Sequence, residues 1–319
     1  MDYILTFGGF VLLFIGGESL VRGAVGLAQR LGVSTLFIGV VVVGFGTSAP
    51  EFLVCLEAAL SGHDDVTIGN VVGSNIVNLM LILGTAAMIQ PVINRPATLR
   101  RDGMAMLLSS ALLVGLAFTG HIDRWVGLAM LATLAGFLAY SVQCERNSKA
   151  TAAYEEELED VGPAPGNPWL ALLAVAMGVG ALVAGANMLV DGATGIARAA
   201  GVPDAVIAVT LVALGTSLPE LATVLVAALR KHADVALGSV LGSNVFNVLG
   251  MLGMTALIEP VGISPAFLNL DMWVMLGVTM LVMVFLTTGQ KLSRQESGLL
   301  LVGYAGYMGY LLGGGGAVV

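Results

Sequence analysis

A glutamate placed directly after a proline, deep inside an apolar run, is the feature that most limits what this chain can become, and it occurs twice. The first copy reads Gly46-Thr47-Ser48-Ala49-Pro50-Glu51 and is followed by Gly73-Ser74-Asn75-Ile76-Val77-Asn78. The second reads Gly215-Thr216-Ser217-Leu218-Pro219-Glu220 and is followed by Gly242-Ser243-Asn244-Val245-Phe246-Asn247. Every landmark is displaced by 169 positions without a gap, and residues 46–89 share 22 identities in 44 with residues 215–258. Composition alone would give far fewer matches, so the chain carries an internal duplication. The match reaches upstream, where Gly16, Leu20, Val21, Gly23 and Ala24 align with Gly185, Leu189, Val190, Gly192 and Ala193. Glu18 and Arg22 fall opposite Asn187 and Asp191, and these four are expected to be interfacial or packing groups.

With 57% hydrophobic and 11% charged residues, long uncharged runs exclude a soluble domain and point to an integral membrane protein. The 43 glycines suit close helix packing in lipid. No basic cluster with interleaved aromatics suggests nucleic acid. A spanning helix needs about 20 apolar residues. On that rule the expected spans are 3–21, 33–60, 66–90, 103–120, 124–143, 168–190, 202–229, 235–258, 270–288 and 297–314. The first lacks a basic leader and a small-residue cleavage site, so it is expected to stay as a membrane helix. Residues 145–167 are polar, acidic and rich in Pro and Gly; they separate five spans from five.

Lys and Arg set the orientation. The loops after spans 1, 3, 5, 7 and 9 hold eleven of them, against Arg124 and Arg198 on the other face. Both termini are therefore expected outside, and the acidic linker in the cytoplasm. An odd number of spans per half makes the second copy enter the membrane from the opposite side. The expected fold is an all-α integral membrane protein. Its ten transmembrane helices form two inverted-topology five-helix repeats, residues 1–144 and 168–319, with broken helices at the membrane centre.

Pro50 has no N–H to donate, and its ring clashes with the carbonyl four residues back. Carbonyls near Val43, Gly44 and Gly46 are thereby freed, at a cost of several kcal/mol each in hydrocarbon unless something satisfies them. Ser48-x-x-Glu51 has the spacing of a capping box, so a second half-helix is expected to start there. Carbonyls, hydroxyls and a carboxylate then converge, an all-oxygen environment suited to a hard cation such as Ca²⁺ or Na⁺. Gly73-Ser74-Asn75 is expected to bend the third span, and the four-residue step from Ser74 to Asn78 puts both on one face. Asn75 and Asn244 are expected to tie up backbone at that bend, with a ligand role as the alternative.

The competing structural reading makes Ser48/Glu51 and Ser217/Glu220 plain capping boxes. It is disfavoured because a charge in hydrocarbon costs at least ~2.5–3.5 kcal/mol and no Lys or Arg lies within either motif to offset it. Cations, or protons, must supply the counter-charge. Glu57 has Val226 as its counterpart and is expected to pack against a polar neighbour. His63 and His232 recur at span ends and are expected to be loop residues. Cys55 and Cys144 are not expected to pair.

At these motifs the chain resembles the cation/calcium antiporter superfamily, specifically the bacterial and archaeal sodium/calcium exchangers. The resemblance implies a diamond of cation sites formed by four broken helices. Carried over by motif position, Glu51 and Glu220 are the main carboxylate ligands. Thr47, Ser48, Thr216 and Ser217 supply hydroxyl or carbonyl oxygens, Ser74 and Ser243 hydroxyls, and Asn78 and Asn247 their amides. The backbone carbonyls of Gly44 and Ala213 complete the outer sodium positions. Some members carry Asp at one of the two amide positions; here both are Asn. Two carboxylates neutralise one Ca²⁺ or two Na⁺, and a third Na⁺ would leave the site net positive.

The expected function is secondary antiport of Ca²⁺ against Na⁺ in a prokaryotic inner membrane, with no cofactor and with lipids as surroundings. A monomer can suffice. Proton/cation exchange and a K⁺-dependent variant are the alternatives. A channel is disfavoured because buried broken helices suggest occlusion. An enzyme is disfavoured because no H-E-x-x-H or G-x-S-x-G motif occurs and an acid and a base need unlike surroundings.

Overall fold

The computed structural model describes residues 1–93, 96–147, 168–200, 215–289, 291–311 and 313. The first helix, α1 (Asp2–Leu31), runs ten residues beyond its expected end. Arg22, which limited the expected span, pairs with Glu18 one turn back, so the charge does not stop the helix. It ends where Gly32 takes a left-handed conformation at φ 62. Residues 35–47 form α2, whose middle, Gly39–Gly44, is wound as a π-helix. At Ser48 the chain bends by 49° into α3 (Ala49–Leu60), with Pro50 in its first turn, as the proline predicts. Glu57 is exposed one turn from the end of α3, so the packing partner expected for it is absent.

The third span, α4 (Asp64–Ile89), does not bend at Gly73-Ser74-Asn75 as expected. It stays helical there and widens into a π-helix at Asn78–Ile82. Two helices follow, α5 (Pro96–Ala117) and α6 (Arg124–Asn147). α5 starts before its expected limit because the buried Asp102 takes two hydrogen bonds from Arg101, at 2.7 and 2.9 Å, which offsets both charges. α6 runs past residue 144, and residues 148–167 of the expected linker lie outside the described residues.

The second half opens on α7 (Pro168–Ala199), longer than its expected span because it continues through Asp191 and Arg198. Residues 201–214, the first part of the expected seventh span, lie outside the described residues. α8 (Leu218–Leu229) begins after Ser217 as α3 begins after Ser48, and the two serines share backbone angles, φ −89 and ψ 4 against φ −82 and ψ 8. α9 (Ala233–Ile258) carries a π-helix at Phe246–Leu252, in the place of the one in α4. α10 (Asp271–Thr288) and α11 (Arg294–Tyr310) close the described chain, and α11 starts with a capping box of Ser293 and Glu296 that the sequence reading passed over.

Four two-residue strands depart from the all-α expectation. β1 (Val92–Ile93) pairs antiparallel with β4 (Lys291–Leu292), and β2 (His121–Ile122) with β3 (Val261–Gly262). Each pair joins an interhelical connection of one half to one of the other, which satisfies backbone groups the helices leave free. Among the described residues six helices are long and apolar enough to cross a membrane, or seven when the bent pair Gly39–Thr47 and Ala49–Leu60 counts as one span.

α1 and α7 lie antiparallel with their backbones nearly touching. Gly9, Gly16 and Gly23 face Leu189, Leu182 and Val175, while Gly178, Gly185 and Gly192 face Leu20, Leu13 and Thr6. The two glycine triads fall on each other under the 169-residue shift, and their seven-residue spacing keeps one seam along both helices. α2 approaches α9 as closely: a Cβ on Gly44 would sit 2.8 Å from the Ser243 nitrogen.

The turn after α3 uses Gly62 at φ 73, and its counterpart after α8 is Lys231 at φ 63. A branched side chain at that left-handed position clashes with the backbone, and a Cβ on Gly62 would meet nothing else within 4 Å. Gly62→Val is therefore expected to lower stability by about 1–2 kcal/mol through strain alone, read as a fall in Tm in detergent.

Candidate cation site

Just ahead of the break at Ser48, side-chain hydroxyls add to the backbone donors: the Gly44 carbonyl keeps its ordinary bond from the Ser48 N–H at 3.3 Å. The Thr47 hydroxyl donates to the carbonyls of Val43 at 3.0 Å and Gly44 at 3.3 Å. The Ser243 hydroxyl, from the other half, also donates to the Gly44 carbonyl, at 3.1 Å. The Gly44 oxygen therefore carries protein donors in this conformation. Ala213, its expected counterpart, lies outside the described residues.

Neither expected capping box forms. Ser48 and Ser217 occupy the N-cap positions of α3 and α8 but make no side-chain cap bond. Each hydroxyl instead crosses to the carboxylate of the opposite half: Ser48 Oγ donates to Glu220 Oε1 at 2.9 Å, and Ser217 Oγ to Glu51 Oε1 at 3.3 Å. A charge-assisted bond to a buried carboxylate is stronger than a neutral cap, which is why the cross-half bond wins. Glu51 and Glu220 are 1% and 2% exposed and lie close enough for each to feel the other's charge. Among the described residues no donor reaches their second oxygens, Oε2 in both, which are buried. Among the described residues neither carboxylate meets a Lys, Arg or His, and residues 201–214 contain none of these.

The two other motifs also meet across the halves. Asn78 Nδ2 donates to Asn244 Oδ1 and Asn247 Nδ2 to Asn75 Oδ1, both at 3.0 Å. Asn75 and Asn244 donate in turn to each other's backbone carbonyl, both at 3.4 Å. They tie up backbone as expected, but that of the opposite half and not of a local bend. The carbonyls they load precede the π-helical turns by a few residues. Asn78 Oδ1 and Asn247 Oδ1 end up like the two Oε2 atoms, buried with no donor. Among the described residues Thr216 Oγ1 is also without a partner. Ser74 is buried on the same helix, one turn before Asn78.

The chemistry of the set is uniform. The hydroxyl hydrogens of Thr47, Ser48, Ser217 and Ser243 are all spent on carbonyls or carboxylates, which leaves oxygen lone pairs unspent. Two carboxylate oxygens and two amide oxygens, each from a repeat-related pair, remain buried and unsatisfied. Such atoms are costly in a protein interior without a donor or a cation. Most of these residues are among those the motifs single out in the sequence. The motifs do not show the exchange of bonds between halves, for which the only signal was the constant 169-residue displacement.

A family model described as "Sodium/calcium exchanger protein" matches residues 2–143 and 170–313. The putative antiporter CaxA of Alkalimonas amylolytica is 34% identical, over 97% of this chain and 98% of its own length. The sodium/calcium exchanger MaX1 of Methanosarcina acetivorans is 30% identical, over 97% of both chains. The inner membrane protein YrbG of Escherichia coli is 32% identical, over 92% of this chain and 91% of its own. Among solved structures, the sodium-calcium exchanger NCX_Mj superposes with a TM-score of 0.84 at 29% identity, covering 97% of this chain and 98% of that one. A family match over both halves, with relatives aligned end to end, makes this chain a membrane protein of the sodium/calcium exchanger family.

Proposed function

We propose that this protein exchanges Ca²⁺ for Na⁺ through a buried all-oxygen site between its two halves. The observation that carries the reading is the four orphaned oxygens, Glu51 Oε2, Glu220 Oε2, Asn78 Oδ1 and Asn247 Oδ1. Two negative charges and neutral oxygen donors suit a hard cation, and among the described residues no Lys, Arg or His meets either carboxylate. Thr47, Ser48, Thr216, Ser217, Ser74 and Ser243 add hydroxyl oxygens, and Gly44 and Ala213 outer carbonyls. An empty, dehydrated carboxylate pair is disfavoured, so the site crosses between the two sides only when cations fill it. That is the condition for obligatory exchange.

The scaffold in this reading is ten transmembrane helices in two inverted five-helix repeats, residues 1–144 and 168–319, with the 145–167 linker cytoplasmic and both termini outside. The antiparallel packing of the repeat-related α1 and α7 supports the inversion. Their seam of glycines supports a further element: the pair slides along the remaining helices to open the site to each side in turn. One polypeptide contains the whole site, so a monomer suffices.

The test is ⁴⁵Ca²⁺ uptake into proteoliposomes under imposed gradients. Loading with Na⁺ is expected to drive uptake that collapses when Na⁺ is replaced by choline. Uptake indifferent to Na⁺ but driven by a pH gradient would move the assignment to proton/cation exchange. A requirement for K⁺ on top of Na⁺ would make it the K⁺-dependent variant.

A further inference from the structure

The amide ligands pose a problem that carboxylates do not. An asparagine has one end that attracts a cation and one that repels it, and a half-turn about its last bond exchanges them. Asn78 and Asn247 serve the site only if their oxygens are turned inward and held there. The side chains of Asn75 and Asn244 lie behind them, and their own orientation is not free. Each amide nitrogen faces a backbone carbonyl of the other half, at 3.4 Å. Each also faces a methionine sulfur, Met275 at 3.9 Å from Asn75 and Met106 at 3.7 Å from Asn244. A carbonyl and a thioether both only accept, so Nδ2 must point at them. Oδ1 of Asn75 is then fixed toward Asn247, and Oδ1 of Asn244 toward Asn78, each accepting Nδ2 at 3.0 Å. With their nitrogens tethered, Asn247 and Asn78 have only their oxygens left, and those are the buried atoms without a donor.

We propose that Asn75 and Asn244 are positioning residues that set the polarity of the site, forcing Asn247 and Asn78 to present oxygen and never N–H to the cation. The inference rests on the cation-site reading above. It extends it, because neither residue is itself a ligand. The polarity is relayed in two steps from acceptors that cannot invert, and it crosses between the halves: Asn75 orients the amide of the second repeat, Asn244 that of the first.

The discriminating experiment is a double-mutant cycle read as equilibrium ⁴⁵Ca²⁺ binding to purified protein in detergent. Asn75→Leu, close in shape, removes the acceptor that holds Asn247 Nδ2 and is expected to weaken Ca²⁺ binding roughly ten- to a hundredfold, the scale of a lost bond to a charged group. Asn247→Asp replaces the amide with a group that has oxygen at both ends and no orientation to lose. In that background Asn75→Leu should cost little or even help, since the Asn75 oxygen no longer faces a donor. The charge added at position 247 is common to both arms and cancels in the cycle. A loss of the same size in both backgrounds would mean that Asn75 acts only by holding the halves together, and would overturn the proposal. So would unchanged binding in Asn75→Leu alone. Should Asn75→Leu not fold, the mirror cycle of Asn244→Leu with Asn78→Asp carries the same expectation. Failure of both single variants to fold, with no recovery on adding the aspartate, also counts against it. Absence of saturable binding in the unmutated protein would defeat the cation-site reading itself, whereas binding with an additive cycle defeats only the positioning role.

Discussion

Glu51→Gln and Glu220→Gln are each expected to abolish Na⁺-driven Ca²⁺ uptake while leaving the fold intact. The amide keeps the shape of the carboxylate and an oxygen to accept from Ser217 or Ser48, so the cross-half bonds at 3.3 and 2.9 Å survive. What disappears is one of two buried negative charges. Removing one partner of a buried ionic interaction costs about 3–5 kcal/mol, or roughly a hundredfold to a few thousandfold in affinity. Uptake in proteoliposomes should fall to background in both variants, with Tm in Ca²⁺-free detergent close to the unmutated value. Ca²⁺ is expected to raise the Tm of the parent protein by mass action, and that shift should vanish in both variants. Full transport in both variants would remove the site.

The second large effect concerns the seam between α1 and α7. Gly16→Leu and Gly185→Leu each insert a side chain where a Cβ alone would come within 2.8 Å of a backbone nitrogen, that of Leu182 or Leu13. Neither backbone can yield without separating the helices along several turns. Overpacking of a tight contact costs about 1–3 kcal/mol, and here each glycine belongs to a set of three. Transport is expected to be lost, with a fall in Tm, and Gly16→Ala should give an intermediate result. Gly180 lies on the same helix as Gly185, is exposed, and has nothing within 4 Å of a Cβ. Gly180→Leu should transport normally, which separates the seam from a general intolerance of bulk on α7.

Much of this architecture was legible because it rests on local rules. Pro50 and Pro219 lack an N–H, so the positions where α3 and α8 begin follow from covalent chemistry. The membrane setting follows from run lengths, and the carboxylate pair from the cost of charge in lipid. The rest depends on which surfaces meet, and a single sequence does not state that. Ser48 and Glu51 have ideal spacing for a capping box, yet Ser48 bonds Glu220, because the second half brings a better acceptor within reach. Gly73-Ser74-Asn75 has the composition of a bend, yet α4 stays helical and widens only at Asn78. Asn244 of the other half bonds the Asn75 carbonyl just ahead of that widening, a contact the local sequence does not announce. Arg22 looked like the end of a span, and only its pairing with Glu18 shows why it is not.

The reciprocity of the serine–glutamate bonds has a corollary. Glu51 is held by Ser217 and Glu220 by Ser48, so neither half can complete its own anion. A single copy of this motif would have the same deficit, which only a second copy of itself could make good.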